Sequence, residues 1–342
     1  MIDAAIRSIV DGYSLSRTEM HEVFCQVMDG KASDVQKTAL LVALRMRGET
    51  ADEITGAAEA MRERVIPLEV DGANLVDTCG TGGDGKGTIN VSTIAAIVAA
   101  GAGIRVAKHG NRAVSSSCGS ADVLAALGTR IDLDAPAMAQ VLRSVGISFL
   151  FAPKLHPAMA AVAGVRKELG VRTIFNLLGP LTNPARARRQ VLGVYSPRLV
   201  PLIGEVLRAL GAEHALVVHS DDGMDEISPA AATAVCEVSE RAGVRQYRIE
   251  PEELGISRAR ADALKGGDAA ANAKSARRIL EGEKGAARDA VVINAGAAIY
   301  VAGGAGSIRE GASLAAESID TGRALSKLAE LVAATNRIGA GA

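Results

Sequence analysis

Three stretches of this sequence carry residue types whose spacing could do chemistry. The first is an apolar Leu75-Val76-Asp77-Thr78 that runs into Gly80-Thr81-Gly82-Gly83-Asp84-Gly85, followed by Asn90-Val91-Ser92-Thr93 at the head of an Ala-rich apolar run. Glycines at this density let backbone N–H groups approach a ligand closely, because no Cβ intervenes. A helix starting near Ser92 presents unpaired N–H groups and two hydroxyls, which attract an anion. The second stretch is Ile104-Arg105-Val106-Ala107, then Lys108-His109-Gly110-Asn111-Arg112 and a serine-rich loop through Ser120. One hydroxyl-rich and one basic strand-to-loop turn make a cradle for a polyphosphate. The third is Ser220-Asp221-Asp222-Gly223-Met224-Asp225-Glu226. Alone, such an acidic run reads as a solvated turn. Beside a polyphosphate cradle it reads as a source of hard oxygen ligands for Mg²⁺, which binds through one or two carboxylates plus substrate phosphates.

The first loop also satisfies G-x-G-x-x-G at Gly80, Gly82 and Gly85, the dinucleotide fingerprint. That fingerprint needs an acidic residue at the end of the next strand for the ribose hydroxyls. Here the next strand ends in Ala107 and Lys108, and no G-x-x-x-x-G-K-[ST] supports a P-loop. Nicotinamide and flavin chemistry are set aside on that ground.

The elements that must position these loops are legible in outline. Residues 1 to about 66 are helical in pattern. Ser16 and Ser33 precede periodic runs, Gly48 follows one, and Thr50-Ala51-Asp52-Glu53 has the form of a capping box. In the second run Val35, Ala39, Val42 and Met46 share one apolar face, which should pack in a small bundle. His21, Arg45 and Arg47 read as surface residues. From about Gly72 short β-branched runs alternate with Ala-rich helices. Strands are expected at 75–78, 104–107, 147–150, 191–195 and 214–219, with shorter ones near 234–238 and 245–249. Such alternation implies an α/β fold with a mostly parallel sheet, right-handed crossovers and ligands at the strands' carboxyl ends. The stretch from Thr173 to Pro184, with a Gly-Pro and an Asn-Pro, reads as an ordered, non-regular hinge or binding wall. The C-terminal helices, with caps such as Ser307 and Asp320, should cover the sheet.

At 342 residues the chain is long enough for a large domain with a smaller one attached. Aromatics are only 2% and Trp is absent, so the core must be built from Ala, Val, Leu and Ile. A net charge of −1 gives no reason to expect nucleic acid or an anionic membrane as partner. Cys25, Cys79, Cys118 and Cys236 are scattered without a C-x-x-C pair and read as reduced thiols. With no leader-like or membrane-spanning run, the expected location is cytoplasmic.

On these residues the sequence resembles the anthranilate phosphoribosyltransferases. The likeness is carried by GTGGD at 80–84, NVST at 90–93, KHGNR at 108–112, GSADVL at 119–124, HPAM at 156–159, VRKELGVRTIFNLLGPLTNP at 165–184 and GMDEIS at 223–228. Two departures, Ser117 and the run Ala230 to Thr233, lie outside the residues expected to carry the reaction. The resemblance implies a pentosyltransferase of tryptophan biosynthesis that moves phosphoribosyl from 5-phosphoribosyl 1-diphosphate (PRPP) to the amino group of anthranilate, releasing pyrophosphate. It implies a small helical domain (1–66, joined by the 157–185 segment) against an α/β PRPP-binding domain (72–342), as a homodimer. By matching motif, Gly80, Gly83, Asp84, Thr88, Asn90, Val91, Ser92, Thr93, Lys108, His109, Gly110, Asn111, Arg112, Ala113, Val114, Ser115, Ser116 and Ser120 should surround PRPP. Gly80, Asn111 and Arg166 should contact anthranilate, with Arg166 on its carboxylate. Ser92, Asp225 and Glu226 should hold two Mg²⁺ ions. His109 and His156 either line the same pocket or are packed for structural reasons, and no residue stands out as a general base. Two alternatives are a pyrimidine nucleoside phosphorylase-like enzyme, which has no need of the Asp225-Glu226 pair, and a non-catalytic nucleic-acid-binding relative, which should be basic.

Overall fold

The computed structural model describes residues 1–72, 74–113, 117–260 and 262–340. It opens with α1 (Ile2–Val10), α2 (Arg17–Met28), α3 (Asp34–Arg47) and α4 (Ala51–Arg62). Ser16, Ser33 and Thr50 each accept from the backbone N–H three residues on, while Glu19, Gln36 and Glu53 return the bond, so three helix starts are closed by capping boxes.

The α3 face differs from the sequence expectation. Val35 and Met46 are 80% and 83% exposed, and the buried residues are Lys37, Leu40, Leu41 and Leu44. Two apolar stripes run along this helix, and the bulkier leucine stripe takes the core. Arg47 is likewise no surface residue: it pairs with the buried Glu53 and donates to the Tyr13 carbonyl at 2.5 Å.

Seven strands follow: β1 (Leu75–Gly80), β2 (Arg105–Gly110), β3 (Ile147–Phe151), β4 (Arg189–Gly193), β5 (His214–Ser220), β6 (Thr233–Ser239) and β7 (Gly243–Ile249). They form one sheet in the order β3-β2-β1-β4-β5-β6-β7. The first five pair in parallel, and β6 and β7 add an antiparallel extension. The two last strands are full-length, longer than the short runs expected, and Asp320 ends the helix Ile308–Asp320 without capping the next.

Alternation along the strands divides the core in two. Val76, Val106, Val191, Leu216 and Val218 face α5 (Val91–Gly101) and the helices Ala135–Val145, Ala286–Val301 and Arg323–Ala340. Cys79, Leu192, Ala215 and Val217 face the other way, into a cluster with the helix Leu199–Ala209 and the N-terminal bundle. The 173–184 stretch is made of short helical turns, Phe175–Leu178 and Gly179–Leu181, and is largely buried. Phe175 lies 5.6 Å from Phe24 of α2, ring to ring, and Asn183 Nδ2 donates to the Ala107 carbonyl of β2. This segment therefore ties the bundle to the sheet. The cysteines form no disulfide among the described residues, and no described helix is long and apolar enough to cross a membrane.

Candidate active site

The three chemical stretches meet at the carboxyl ends of the parallel strands. β1 ends at Gly80 beside Gly193, the last residue of β4, and the chain turns over that neighbour as Thr81 N–H donates to the Gly193 carbonyl at 2.8 Å. The following loop needs Gly83, whose φ of +75° L side chains rarely adopt. Gly193 has a different reason: a Cβ there would stand 1.5 Å from the Asp225 carbonyl oxygen. The acidic turn packs on bare backbone at the end of β4. It is fixed from beneath, since Asn294 bonds both the N–H and carbonyl of Ile227, and Ser220 Oγ donates to the Glu226 carbonyl at 2.6 Å.

So placed, Asp225 Oδ2 accepts from Gly82 N–H at 3.0 Å and Glu226 Oε1 from Ser92 N–H at 3.0 Å. The first bond holds the glycine loop and the second caps the start of α5, where the helix dipole favours negative charge. Burial raises the Asp225 carboxyl well above the usual range, and the neighbouring Asp84 raises it further. Burial also raises Glu226, and Asp225 adds to the effect. An acidic group under mutual repulsion, made of hard oxygens beside a hydroxyl, is the donor set that fits Mg²⁺. It is an open set. Among the described residues the metal-ligand types that converge most tightly are His21, Cys25 and Glu63, away from this site, where Arg64 already lies 3.3 Å from the Cys25 sulfur. The carboxylates at the glycine loop therefore suit an ion that completes its shell with substrate oxygens.

Lys108 lies within β2, buried, and its Nζ donates to the Thr78 carbonyl and reaches Ser92 Oγ at 3.4 Å. Burial pulls this ammonium down, and Asp77, with Glu226 and Asp225, supports its charge. Asp77 accepts from His109 N–H at 3.1 Å. Farther along, Asn111 O accepts from Ala121 N–H and Ser120 Oγ, while Asp122 takes the N–H groups of Ala113 and Gly119 and pairs with Arg112. Both ends of the loop are thus held. Val114, Ser115 and Ser116 lie outside the described residues.

Beside Lys108 in the sequence, His109 is buried together with His156, their Nε2 atoms 3.1 Å apart. Burial lowers them to about 3 and about 4, and for His109 the neighbouring His156 adds to the lowering, so both are neutral at neutral pH. His156 leads through the turn Pro157–Met159 into the helix Ala160–Leu169, which carries Arg166. The Arg166 guanidinium is half-buried 5.3 Å above the Phe175 ring, lowered by burial, and has no carboxylate partner among the described residues.

The structure brings Gly80, Gly83, Asp84, Ser92, Lys108, Asp225 and Glu226 to one end of the sheet. Val91 and Thr93 belong to the buried face of α5, and the N–H groups expected to be unpaired are taken: Val91 donates to the Ile89 carbonyl at 2.8 Å, Thr93 to the Asn90 carbonyl at 3.1 Å and Ser92 to Glu226. Asn90 bridges the Cys118 carbonyl and Asn272, and Thr88 forms a bridge with Lys265. Sequence reasoning missed Asp77, Gly193 and Arg172, whose Nη1 donates to the Gly83 carbonyl at 3.0 Å while the guanidinium stacks 4.4 Å from the Tyr195 ring centre. Only the apolar setting of Asp77 in a strand signalled any of these.

Comparison with known proteins agrees with this architecture. Residues 3–65 match the helical bundle domain, and residues 72–325 the a/b domain, of the glycosyl transferase family, which defines the class of the chain. The anthranilate phosphoribosyltransferase of Anaeromyxobacter dehalogenans is 57% identical over 98% of this chain and 99% of its own length. The crystal structure of the Thermus thermophilus anthranilate phosphoribosyltransferase superposes with a TM-score of 0.92 at 48% identity, covering 97% of this chain and 99% of that one. The Saccharomyces cerevisiae enzyme in complex with PRPP and Mg gives 0.90 at 26% identity, covering 98% of each chain. The chain belongs to the anthranilate phosphoribosyltransferase family.

Proposed function

We propose that this chain transfers phosphoribosyl from PRPP to the amino group of anthranilate, giving N-(5-phosphoribosyl)anthranilate and pyrophosphate, in tryptophan biosynthesis. The observation that carries the reading is the meeting of Asp225 and Glu226 with the Gly82 and Ser92 N–H groups at the carboxyl ends of the strands. A nucleoside phosphorylase has no use for that acidic pair, and the net charge of −1 gives no footing for a nucleic-acid binder.

The sugar's C1 becomes positive as its bond to the diphosphate breaks, so the protein's task is to hold the leaving group and position a weak amine. The bonding pair of C1–O leaves with pyrophosphate, the amine lone pair forms C1–N, and the acidic arylammonium gives its proton to solvent. In our reading the glycine loop from Gly80 through Asp84, with Thr88 and the head of α5 at Asn90 to Thr93, cradles PRPP, and His109 to Ala113 with Ser120 closes its other face. Ser92, Asp225 and Glu226 hold Mg²⁺, two ions per chain, which would offset the charge of the departing pyrophosphate. Lys108 acts from behind, fixing Thr78 and Ser92. Gly80, Asn111 and Arg166 receive anthranilate, with Arg166 on its carboxylate and the neutral His109 and His156 beside it. We read residues 1–66 with 157–185 as the part that carries the acceptor wall, 72–342 as the part that carries PRPP, and the chain as a homodimer. Reduced thiols are in keeping with a cytoplasmic setting.

Calorimetry tests the carrying observation. Asp225→Asn with Glu226→Gln keeps the acceptors for Gly82 and Ser92 while removing both charges. PRPP with Mg²⁺ should then bind far more weakly, with the melting temperature held or raised. Unchanged Mg²⁺-dependent binding would reduce the acidic run to a structural turn.

A further inference from the structure

A cleft of about 770 Å³ opens where the helical bundle meets the sheet, far from the acidic turn. Its walls carry Arg17 and His21 of α2, Glu59 and Arg62 of α4, and Arg186 and Arg188 from the segment before β4. Arg188 immediately precedes the first residue of β4, whereas Gly193 and the acidic turn stand at its last. The length of a strand, roughly 13 Å or more at about 3.3 Å per residue, separates this cleft from the candidate active site.

The charges lining it do not balance. Arg17 pairs with Glu59, His21 with Glu63 at 2.8 Å, and Arg188 with Glu213 and Glu240 at 2.9 and 2.5 Å. Arg62 and Arg186 have no ion-pair partner among the described residues. Arg62 donates only to carbonyls, Nε to Leu181 at 2.7 Å and Nη1 to Leu210 at 3.5 Å. Burial pulls its guanidinium down to about 10; Glu59 opposes the shift and Arg186 deepens it, so the two arginines are close enough to repel. Arg186 also carries a φ of 51°, one of two positive values at non-glycine positions among the described residues. Backbone strain of this kind persists where surrounding structure holds it, and ligand clamps are common among such places.

We propose that this cleft binds a small phosphate-bearing anion between Arg62 of the bundle and Arg186 of the segment entering β4. Two guanidiniums that line one cleft and have no ion-pair partner of their own among the described residues match a phosphate, which accepts charge-assisted hydrogen bonds from each. The volume exceeds what a bare phosphate ion needs and lies in the range of small-molecule pockets, so a phosphate ester fits as well as the free ion. Because the two arginines belong to separate parts of the fold, the anion ties the bundle to the sheet and stabilises their joint arrangement.

The test uses the full chain with Mg²⁺ and a single equivalent of PRPP, without anthranilate, so that the tighter active site is filled and the cleft is left open. Inorganic phosphate and ribose 5-phosphate are titrated separately by calorimetry. One further equivalent should bind. Tighter binding of ribose 5-phosphate identifies an ester as the preferred ligand, and equal binding identifies the phosphate group alone. Arg186→Gln should weaken the event at least about tenfold through loss of a charge-assisted fork. Arg186→Gly removes the same group while relieving the positive φ, and should weaken binding alike without loss of folding. Arg186→Glu hands Arg62 a carboxylate, so binding should vanish and the melting temperature without phosphate should rise. The proposal is overturned by no binding beyond the PRPP site, or by binding unchanged in these three variants.

Discussion

Replacing Arg166 by alanine separates an aryl-acid acceptor from every neutral one. The guanidinium is half-buried over Phe175 at 5.3 Å and has no carboxylate of its own among the described residues, so its charge is available to a ligand. A carboxylate meets it through two parallel hydrogen bonds. Hydrogen bonds to charged groups are worth roughly 1.5–3 kcal/mol, which converts to a loss of about 10- to 150-fold in anthranilate affinity. The protein itself loses only the contact with Phe175, about 0.5–1 kcal/mol at a partly exposed site. The melting temperature should therefore fall by a few degrees at most. Fluorescence titration of anthranilate measures the first effect, and PRPP titration should stay within about twofold of wild type. Lysine at the same position should recover part of the loss, since it restores charge without the planar fork. Equal weakening of both substrates, or weakening of neither, would refute Arg166 as the carboxylate anchor.

Three further outcomes follow from the geometry. Gly193→Ala places a Cβ on the Asp225 carbonyl and forces the acidic turn off β4, so Mg²⁺-dependent PRPP binding should collapse, with about 1–3 kcal/mol of stability lost by denaturant unfolding. His109 and His156 have folded pKa values depressed to about 3 and about 4, so the unfolded chain binds more protons below its own value of 6.5. Stability should fall as the pH drops from 6.5 towards 4, and His156→Gln should flatten that limb in melts across the range; an unaltered limb would exclude the pair as its source. Because burial and mutual repulsion raise Asp225 and Glu226, binding of Mg²⁺ with PRPP should expel protons. Calorimetry in buffers of different ionisation enthalpy reads this, and zero release would mean the acids are ionised beforehand.

All seven strands were legible from β-branched runs between turn residues, and Ser16, Ser33 and Thr50 gave three helix starts. These are local signals. The α3 face was misread because its pattern offered two apolar stripes, and only the packing of Leu40, Leu41 and Leu44 chooses between them. Arg47 looked like a surface residue because the demand of the buried Glu53 does not show in a charge count. Gly193 and Asp77 were passed over for another reason. Gly193 matters because of the Asp225 turn, and Asp77 because of the His109 N–H, and both relations exist only once the strands stand side by side. The residues of the glycine loop and the acidic turn were recognisable by composition, and the backbone hydrogen bonds that orient them were not.

The most direct measurement mixes the purified chain with anthranilate, PRPP and Mg²⁺ and follows anthranilate fluorescence alongside pyrophosphate release. Anthranilate and PRPP should disappear one for one, with an equal yield of pyrophosphate and of N-(5-phosphoribosyl)anthranilate by mass, and chelation of Mg²⁺ should stop the reaction. Folded protein that leaves anthranilate unconsumed under these conditions, or that instead cleaves a pyrimidine nucleoside with phosphate, would contradict the account.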